Sequence, residues 1–351
     1  MLKARWFKYT LQFKHPSGTS RGVLQEKASW FIIVEDLTKP DRRGIGECGL
    51  LKGLSFDDRP GYEKKLDEVC ENIHEPGIFE ELSEWPSIKF GLEMALRDLQ
   101  TQNPMILFPS PFTKGEKTMK INGLIWMGQK DFMFRQMEQK LRQGYRCIKM
   151  KIGAIDWDAE LELLKYIREK FPAGEVELRV DANGAFSRSE APKKLEELAR
   201  LDIHSIEQPI KAGQWKEMSD LCRNSPLPVA LDEELIGVTD CRMKNELLET
   251  ILPQYIILKP SLVGGFAESE EWIDIAEKYD AGWWVTSALE SNVGLNAIAQ
   301  WTFTFGNSMP QGLGTGQLYT NNIASPLEII NGQIHYNNRK QWDLNFFEDE
   351  K

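Results

Sequence analysis

The chain has 351 residues, 41% of them hydrophobic and 27% charged, enough for a large buried core and more than one domain. Its net charge is −10 and no Lys/Arg-rich run occurs, which excludes a nucleic-acid partner and means that an anionic substrate needs locally positive groups. No segment reaches the ~20 apolar residues that span a bilayer, five scattered cysteines form no CxxC, and four distant histidines lack zinc-type spacing, so the expectation is a cytoplasmic protein with free thiols and no membrane partner.

In chain order, FKYTLQFK and SWFIIVED read as strands, aromatic and β-branched, joined by the polar loop HPSGTSRG. A second Gly-rich loop, RRGIGECGLLKGLSFDDRPGY, precedes two segments with helical spacing, YEKKLDEVCENI and PSIKFGLEMALRDLQ. In the latter, Ile88, Leu92, Ala95, Leu96 and Leu99 form the apolar stripe. Residues 1–115 therefore predict an α+β unit.

Over residues 116–320 short strands alternate with amphipathic helices. KINGLIW, CIKMKIG, VELRVDAN, HSIEQP, PVALDEE, YIILKP, GWWVTSALES and QGLGTG are eight strand candidates. Repeated right-handed βα crossovers predict an α/β fold, a (β/α)8-type, TIM-like barrel. A doubly wound sheet opens on a Gly-rich turn, and KINGLIWMGQ is not GxGxxG. Beyond Thr320 the pattern stops. LEIINGQIHY predicts a hairpin with a type I′ turn at Asn331-Gly332. Residues 321–351 are expected to return to the first unit and complete a capping domain, with FFEDEK as a solvated end.

Six residues stand at the ends of successive apolar runs: Lys149 and Lys151 in KMK, Asp181 in VDAN, Glu207 in IEQP, Asp232 in LDEE and Lys259 in LKPS. From Lys151 onward the steps are 30, 26, 25 and 27 residues, the period of one strand plus one helix. Side chains two apart on a strand share a face, so Lys149 and Lys151 point together, as do Arg179, Asp181 and Asn183. Taken singly, each acid could be a turn former or helix cap. As a series at three consecutive barrel strand ends, the acids converge, and converged carboxylates repel unless a cation lies among them. All-oxygen ligation of an open site favours Mg²⁺, with Mn²⁺ able to substitute. Asp232 is preferred over its neighbour Glu233 as the third ligand.

A metal flanked by lysines suits α-proton abstraction from a carboxylate. The metal stabilises the enediolate and a lysine takes the proton. A free lysine, with pKa ~10.4, is too basic for this at neutral pH, and burial or a nearby cation lowers it.

The set KMK, VDAN, IEQP, LDEE and LKP resembles the enolase superfamily in its muconate-lactonising subgroup, where a Lys or His base works with Mg²⁺. LKPSLVGG, TSALESNVGLNAIAQ and PQGLGTGQLYT further resemble the o-succinylbenzoate synthase family of menaquinone synthesis. The resemblance implies that Asp181, Glu207 and Asp232 hold Mg²⁺. It implies that Lys151 takes the α-proton of a cyclohexadiene carboxylate and returns it to the leaving hydroxyl, a syn elimination. Lys149 then stabilises the enediolate, and Lys259 lies over the opposite ring face as a cation. Arg179 and Asn183 orient the metal ligands, with Arg179 also a substrate-binding candidate. Ser287 and Gly312 are placed to receive the succinyl arm, and the loops at residues 17–21 and 51–55 to close over the mouth.

The nearest rival is an N-succinylamino acid racemase or other epimerase with the same six residues, Lys151 and Lys259 acting as opposed acid and base. Dipeptide epimerases carry an Asp-x-Asp near the last strand, and GWWVTSALES and QGLGTGQ have none. A barrel that has lost catalysis would lack one of the six, and all are present. The expected partner is a small anionic carboxylate; oligomeric state is not encoded in any readable pattern.

Overall fold

The structure is a computed structural model and describes residues 1–19, 22–39 and 42–349. β1 (Leu2–Thr19), β2 (Gly22–Asp36) and β3 (Arg43–Cys48) pair antiparallel in the order 1-2-3. Residues 30–34 are buried throughout, and strand parity divides them between two cores. Trp30, Ile32 and Val34 pack with Leu66 and Val69 of α1 (Tyr62–Glu71) and with Ile88, Leu92, Ala95 and Leu99 of α2 (Pro86–Gln100). Phe31 and Ile33 face the other way, into the main core. Pro86 starts α2 in the first turn, where its missing N–H is harmless. The helix lies directly on β3: a Cβ at Gly46 would stand 1.9 Å from the Gly91 carbonyl oxygen, so only glycine permits this approach.

The polar segment HPSGTSRG is not a free loop. β1 continues to Thr19 and β2 begins at Gly22, with a register irregularity between Gln12 and Ser17. The backbone ladder carries the hairpin past the apolar residues; Ser20 and Arg21 of this segment lie outside the described residues.

The second half is built on a seven-stranded parallel sheet in sequence order. Its strands are β5 (Gly123–Ile125), β6 (Cys147–Lys151), β7 (Glu177–Asp181), β8 (Ser205–Glu207), β9 (Val229–Leu231), β10 (Tyr255–Leu258) and β11 (Gly282–Val285). The helices between them are α3 (Lys130–Arg142), α4 (Trp157–Lys170), α5 (Ala191–Ala199), α6 (Trp215–Asn224), α7 (Cys241–Ile251), then α8 (Pro260–Val263) with α9 (Gly265–Lys278), and α10 (Asn292–Thr304) follows β11. The outward strand residues, such as Ile148, Met150, Leu178 and Val180, belong to the core beneath the helices. The eighth strand candidate, QGLGTG, forms no ladder. Gln311 bridges Ile121 and Gly312 bridges Thr286, so this segment joins the two edges of the sheet through single bridges. KINGLIW also divides: β4 (Met119–Lys120) leaves the barrel sheet.

β4 pairs instead with the C-terminal hairpin of β12 (Leu327–Ile330) and β13 (Gln333–Tyr336). Asn331 and Gly332 both have positive φ, 51° and 68°, as a type I′ turn requires. The hairpin expected to join the N-terminal strands thus packs at Gly144 and Tyr145, below β6. The tail reaches the N-terminal strands elsewhere. Thr320 N–H donates to the Gln12 carbonyl at 2.9 Å, and Tyr9 hydroxyl to that of Asn321 at 2.8 Å. The start of FFEDEK is not a solvated end either: α11 (Phe346–Asp349) forms, and Phe347 is fully buried against Phe7 and Phe31, while Glu350 and Lys351 lie outside the described residues. The aromatic face of β1 and β2 needs a cover, and two adjacent phenylalanines provide it. No described helix is long and apolar enough to cross a membrane.

Candidate active site

The parallel sheet delivers the six residues to one place. Lys151 is in register with Asp181, and Asp181 with Glu207, so three strand ends stand side by side. Asp232 follows β9 directly, and Lys259 follows β10 as the cap of α8. Five of the six lie at the C-terminal rim of the sheet, where loops are free to vary without disturbing the ladder, and Lys149, in register with Arg179, reaches up from one layer below. A cavity of about 870 Å³ opens there, lined by Lys149, Lys151, Asp181, Asn183, Glu233 and Lys259, with Glu207 and Asp232 buried behind them.

Lys149 Nζ lies 3.1 Å from Asp181 Oδ2 and also pairs with Glu207 Oε2. Lys151 Nζ lies 3.1 Å from the same Asp181 oxygen and donates to Asn183 Oδ1 at 2.7 Å. Lys259 pairs with Asp232 and lies 3.9 Å from Glu207 Oε1. The acids are therefore interleaved with ammonium groups, and among the described residues no three acids gather into a bare metal cluster. Burial pulls Lys149 and Lys259 down, but the carboxylates outweigh it, Asp181 and Glu207 for Lys149 and Asp232 and Glu207 for Lys259, so both ammoniums are held above the ordinary lysine range. For these two the expected lowering does not occur, because the acids contact them directly. Burial opposes ionisation of Asp181, and Lys149 and Lys151 reverse this and hold it low. Burial and then Asp181 push Glu207 up to about 8.

The residues fit a hard divalent cation. The donors are all carboxylate oxygens, and Glu207 Oε1 is buried without a hydrogen-bond donor. Asp181, Glu207 and Asp232 are the groups that would hold it.

Asn183 has φ 43°, its N–H donates to Asp181 Oδ1 at 3.0 Å, and its amide donates to Glu233 Oε1 at 3.0 Å. Glu233 thus serves Asn183, while Asp232 is the acid beside Lys259. Arg179 departs from expectation. It pairs with Glu177 at 2.6 Å, donates to the Pro310 carbonyl at 3.0 Å and stacks on Trp284 at 4.2 Å, sealed in the barrel interior one layer below Asp181. Parity pointed it inward, but its bonds to Glu177 and the Pro310 carbonyl turn it away from the cavity that Lys149, at the same level, reaches. Ser287 and Gly312 do line the cavity, yet their donors are committed: Ser287 hydroxyl to Glu290, and Gly312 N–H to the Val285 carbonyl at 2.7 Å. Residues 51–54 and Lys14, His15, Pro16 and Leu24 form the roof of the cavity.

Two buried supports were not foreseen. Gln208, beside Glu207 in IEQP, accepts from the Asp232 N–H at 3.2 Å and donates to Glu234 at 3.0 Å, fixing the end of β9. Glu160 accepts the N–H groups of Gly153, Ala154 and Ile155, holding the turn after Lys151. The Gln of IEQP carried a visible signal; Glu160 on α4 carried none beyond an ordinary helical acid. The charge balance is local: seven Lys/Arg side chains line the cavity against two acids, Asp181 and Glu233, in a chain of net charge −10.

Residues 133–340 match the family model described as enolase C-terminal domain-like. An o-succinylbenzoate synthase from Desulfotalea psychrophila is 47% identical over 92% of this chain and 96% of that protein. The crystal structure of MenC from the same organism superposes with a TM-score of 0.84 at 42% identity, covering 95% of this chain and 99% of that one. The muconate lactonizing enzyme from Pseudomonas fluorescens shares the fold, with a TM-score of 0.82 at 19% identity over 99% of this chain and 98% of that one. The chain belongs to the enolase superfamily, in its muconate-lactonising subgroup and, within that, to the o-succinylbenzoate synthase family.

Proposed function

We propose that this chain is a Mg²⁺-dependent o-succinylbenzoate synthase. It removes water from a succinyl-substituted hydroxycyclohexadiene carboxylate to give the aromatic product used in menaquinone biosynthesis. The observation that carries this reading is the pairing of Lys151 with Asp181 and Asn183 on the cavity wall, with Lys259 held by Asp232 in the same cavity. In this reading residues 116–320 form a modified (β/α)8 barrel that carries the chemistry and residues 1–115 cap its mouth, joined by Asn321 and Phe347 of the tail, while the hairpin Leu327–Tyr336 packs below β6.

Bound Mg²⁺, or Mn²⁺ in its place, supplies positive charge for the substrate carboxylate as negative charge develops on it. Lys151 takes the α-proton and delivers it to the leaving hydroxyl on the same face, so a single base serves both steps. Asn183 aims the Lys151 side-chain nitrogen, and Lys149 adds a positive charge beside it. Lys259 stays protonated beside Asp232 and offers a cation to the opposite ring face. Residues 51–54 and Pro16 line the cavity and would cover the bound substrate against water. Aromatisation drives the step.

The test offers the purified full chain, with Mg²⁺, the cyclohexadiene precursor and follows the aromatic product by absorbance. Turnover is expected. No turnover, with racemisation of an N-succinylamino acid instead, overturns the dehydratase reading.

A further inference from the structure

Glu290 stands behind the cavity wall of residues 286–289 and is completely buried. Both of its oxygens are taken by hydroxyls, Ser261 Oγ donating to Oε1 and Ser287 Oγ to Oε2. Ser261 lies two residues past Lys259, and Ser287 lines the cavity just beyond β11, so one carboxylate ties two neighbouring strand ends. Thr315 Oγ1 donates to Ser287 Oγ at 2.8 Å. The stem of Glu290 packs directly on Gly49, where a Cβ would stand 2.9 Å from Glu290 Cγ. Behind it, Lys27 Nζ donates to Ser29 Oγ at 2.9 Å, and Ser29 to Glu47 at 2.7 Å. Glu47 in turn accepts the Ser291 and Gly294 N–H groups at 2.8 and 2.9 Å. One buried cation therefore faces two buried carboxylates.

A serine hydroxyl has one proton and two lone pairs. At Ser287 the proton is spent on Glu290 and one lone pair on Thr315. What remains for the cavity is a single acceptor. A carboxylate offers only lone pairs and finds no donor at this hydroxyl; burial pushes the Glu290 carboxyl up, and once the pH is high enough to ionise it the arm also meets that charge directly behind the hydroxyl.

We propose that Glu290 sets the hydrogen-bonding polarity of this wall: by holding the Ser287 proton it lets the wall receive methylene or donor groups of the substrate's arm and refuse the arm's carboxylate, which is turned toward the basic rim of Lys14, Lys52 and Arg135. This rests on the arm-bearing substrate proposed above and specifies how that arm lies. Glu290 acts through Ser287 and is a positioning residue that determines specificity.

The test compares binding of o-succinylbenzoate and of its terminal carboxamide to the Mg²⁺-loaded full chain by calorimetry at alkaline pH. It uses the wild type, Glu290→Gln, Ser287→Ala and the double variant. A glutamine accepts from one serine and donates to the other, which releases the Ser287 proton to the cavity. Glu290→Gln is expected to raise the acid-over-amide preference by about fivefold or more, and by less than about twofold once Ser287 is alanine. An equal shift with and without Ser287 overturns the proposal. Should Glu290→Gln fail to fold, Ser287→Ala decides alone: the proposal expects it to weaken the amide more than the acid, and a loss of acid affinity of about tenfold shows that the hydroxyl donates to the carboxylate and overturns it. Turnover of the cyclohexadiene acid is followed separately. Its absence strikes the dehydratase reading, whereas the acid–amide comparison reads the wall by itself.

Discussion

Lys151 Nζ and Asn183 Oδ1 lie 2.7 Å apart, and the far end of the same amide donates to Glu233 at 3.0 Å. One asparagine therefore holds the side-chain nitrogen of the proposed base and is itself held from behind. Asn183→Ala removes the aim and leaves the Lys151 nitrogen tethered by Asp181 alone. The expected outcome is a loss of about 10- to 100-fold in kcat with a much smaller change in KM. Steady-state kinetics on the cyclohexadiene substrate check this, and an equal effect on both constants would argue for a general disruption of the site.

Lys151→Ala is expected to abolish dehydration while Mg²⁺ still binds, because none of the three carboxylates is altered. Calorimetric titration with Mg²⁺ and a product assay on the same preparation separate the two effects. Retained turnover removes Lys151 from the base role.

Lys149 is buried between Asp181 and Glu207, with 7% of its side chain exposed. Lys149→Met leaves those carboxylates buried without their shared partner. Breaking a buried pair from one side costs about 3–5 kcal/mol. In denaturant melts without Mg²⁺ the variant should lose stability of that order. Added Mg²⁺ should recover more stability for the variant than for the wild type, since it restores charge among the acids. A variant as stable as the wild type in the absence of Mg²⁺ contradicts this account.

Glu93 on α2 accepts the N–H groups of Phe266 and Ala267 in the first turn of α9, beside Lys89 and Glu268. Burial pushes its carboxyl from 4.5 up to about 7. Between those values the folded chain keeps a proton that the unfolded chain has lost. The folded state is then the one that binds more protons, so this group's contribution to stability falls as pH rises through that window and is level above it. Glu93→Gln removes the ionisable group. Its melting temperature should fall less than that of the wild type between about pH 5 and about pH 7. Parallel melting curves for the two proteins remove Glu93 from the pH response.

Much of the site was legible because its rules are local. Strand alternation put Lys149 and Lys151 on one face and paired Asp181 with Asn183; the repeat near 26 residues placed each acid on the next strand. The α2 stripe was readable for the same reason, since helical spacing is a property of neighbouring residues. The eighth strand misled because QGLGTG has the glycines of a strand end but too few side chains to sustain a ladder, and it makes single bridges instead. Phe347 misled because two phenylalanines amid acids look like a frayed tail until the aromatic face of β1 and β2 is brought to them.

What the sequence by itself determined is the convergence of the six candidate residues and their order on successive strands, because both follow from period and parity along one chain. What only the tertiary structure decided is how those groups and their neighbours pair. Lys149 lies between two acids, Arg179 is stacked on Trp284 away from the cavity, and Ser287 gives its proton to Glu290. Apart from the link from Ser287 to Glu290, these pairings join residues far apart in sequence, and which of several possible partners a buried polar group takes depends on the space and depth that packing leaves it, which no local pattern carries.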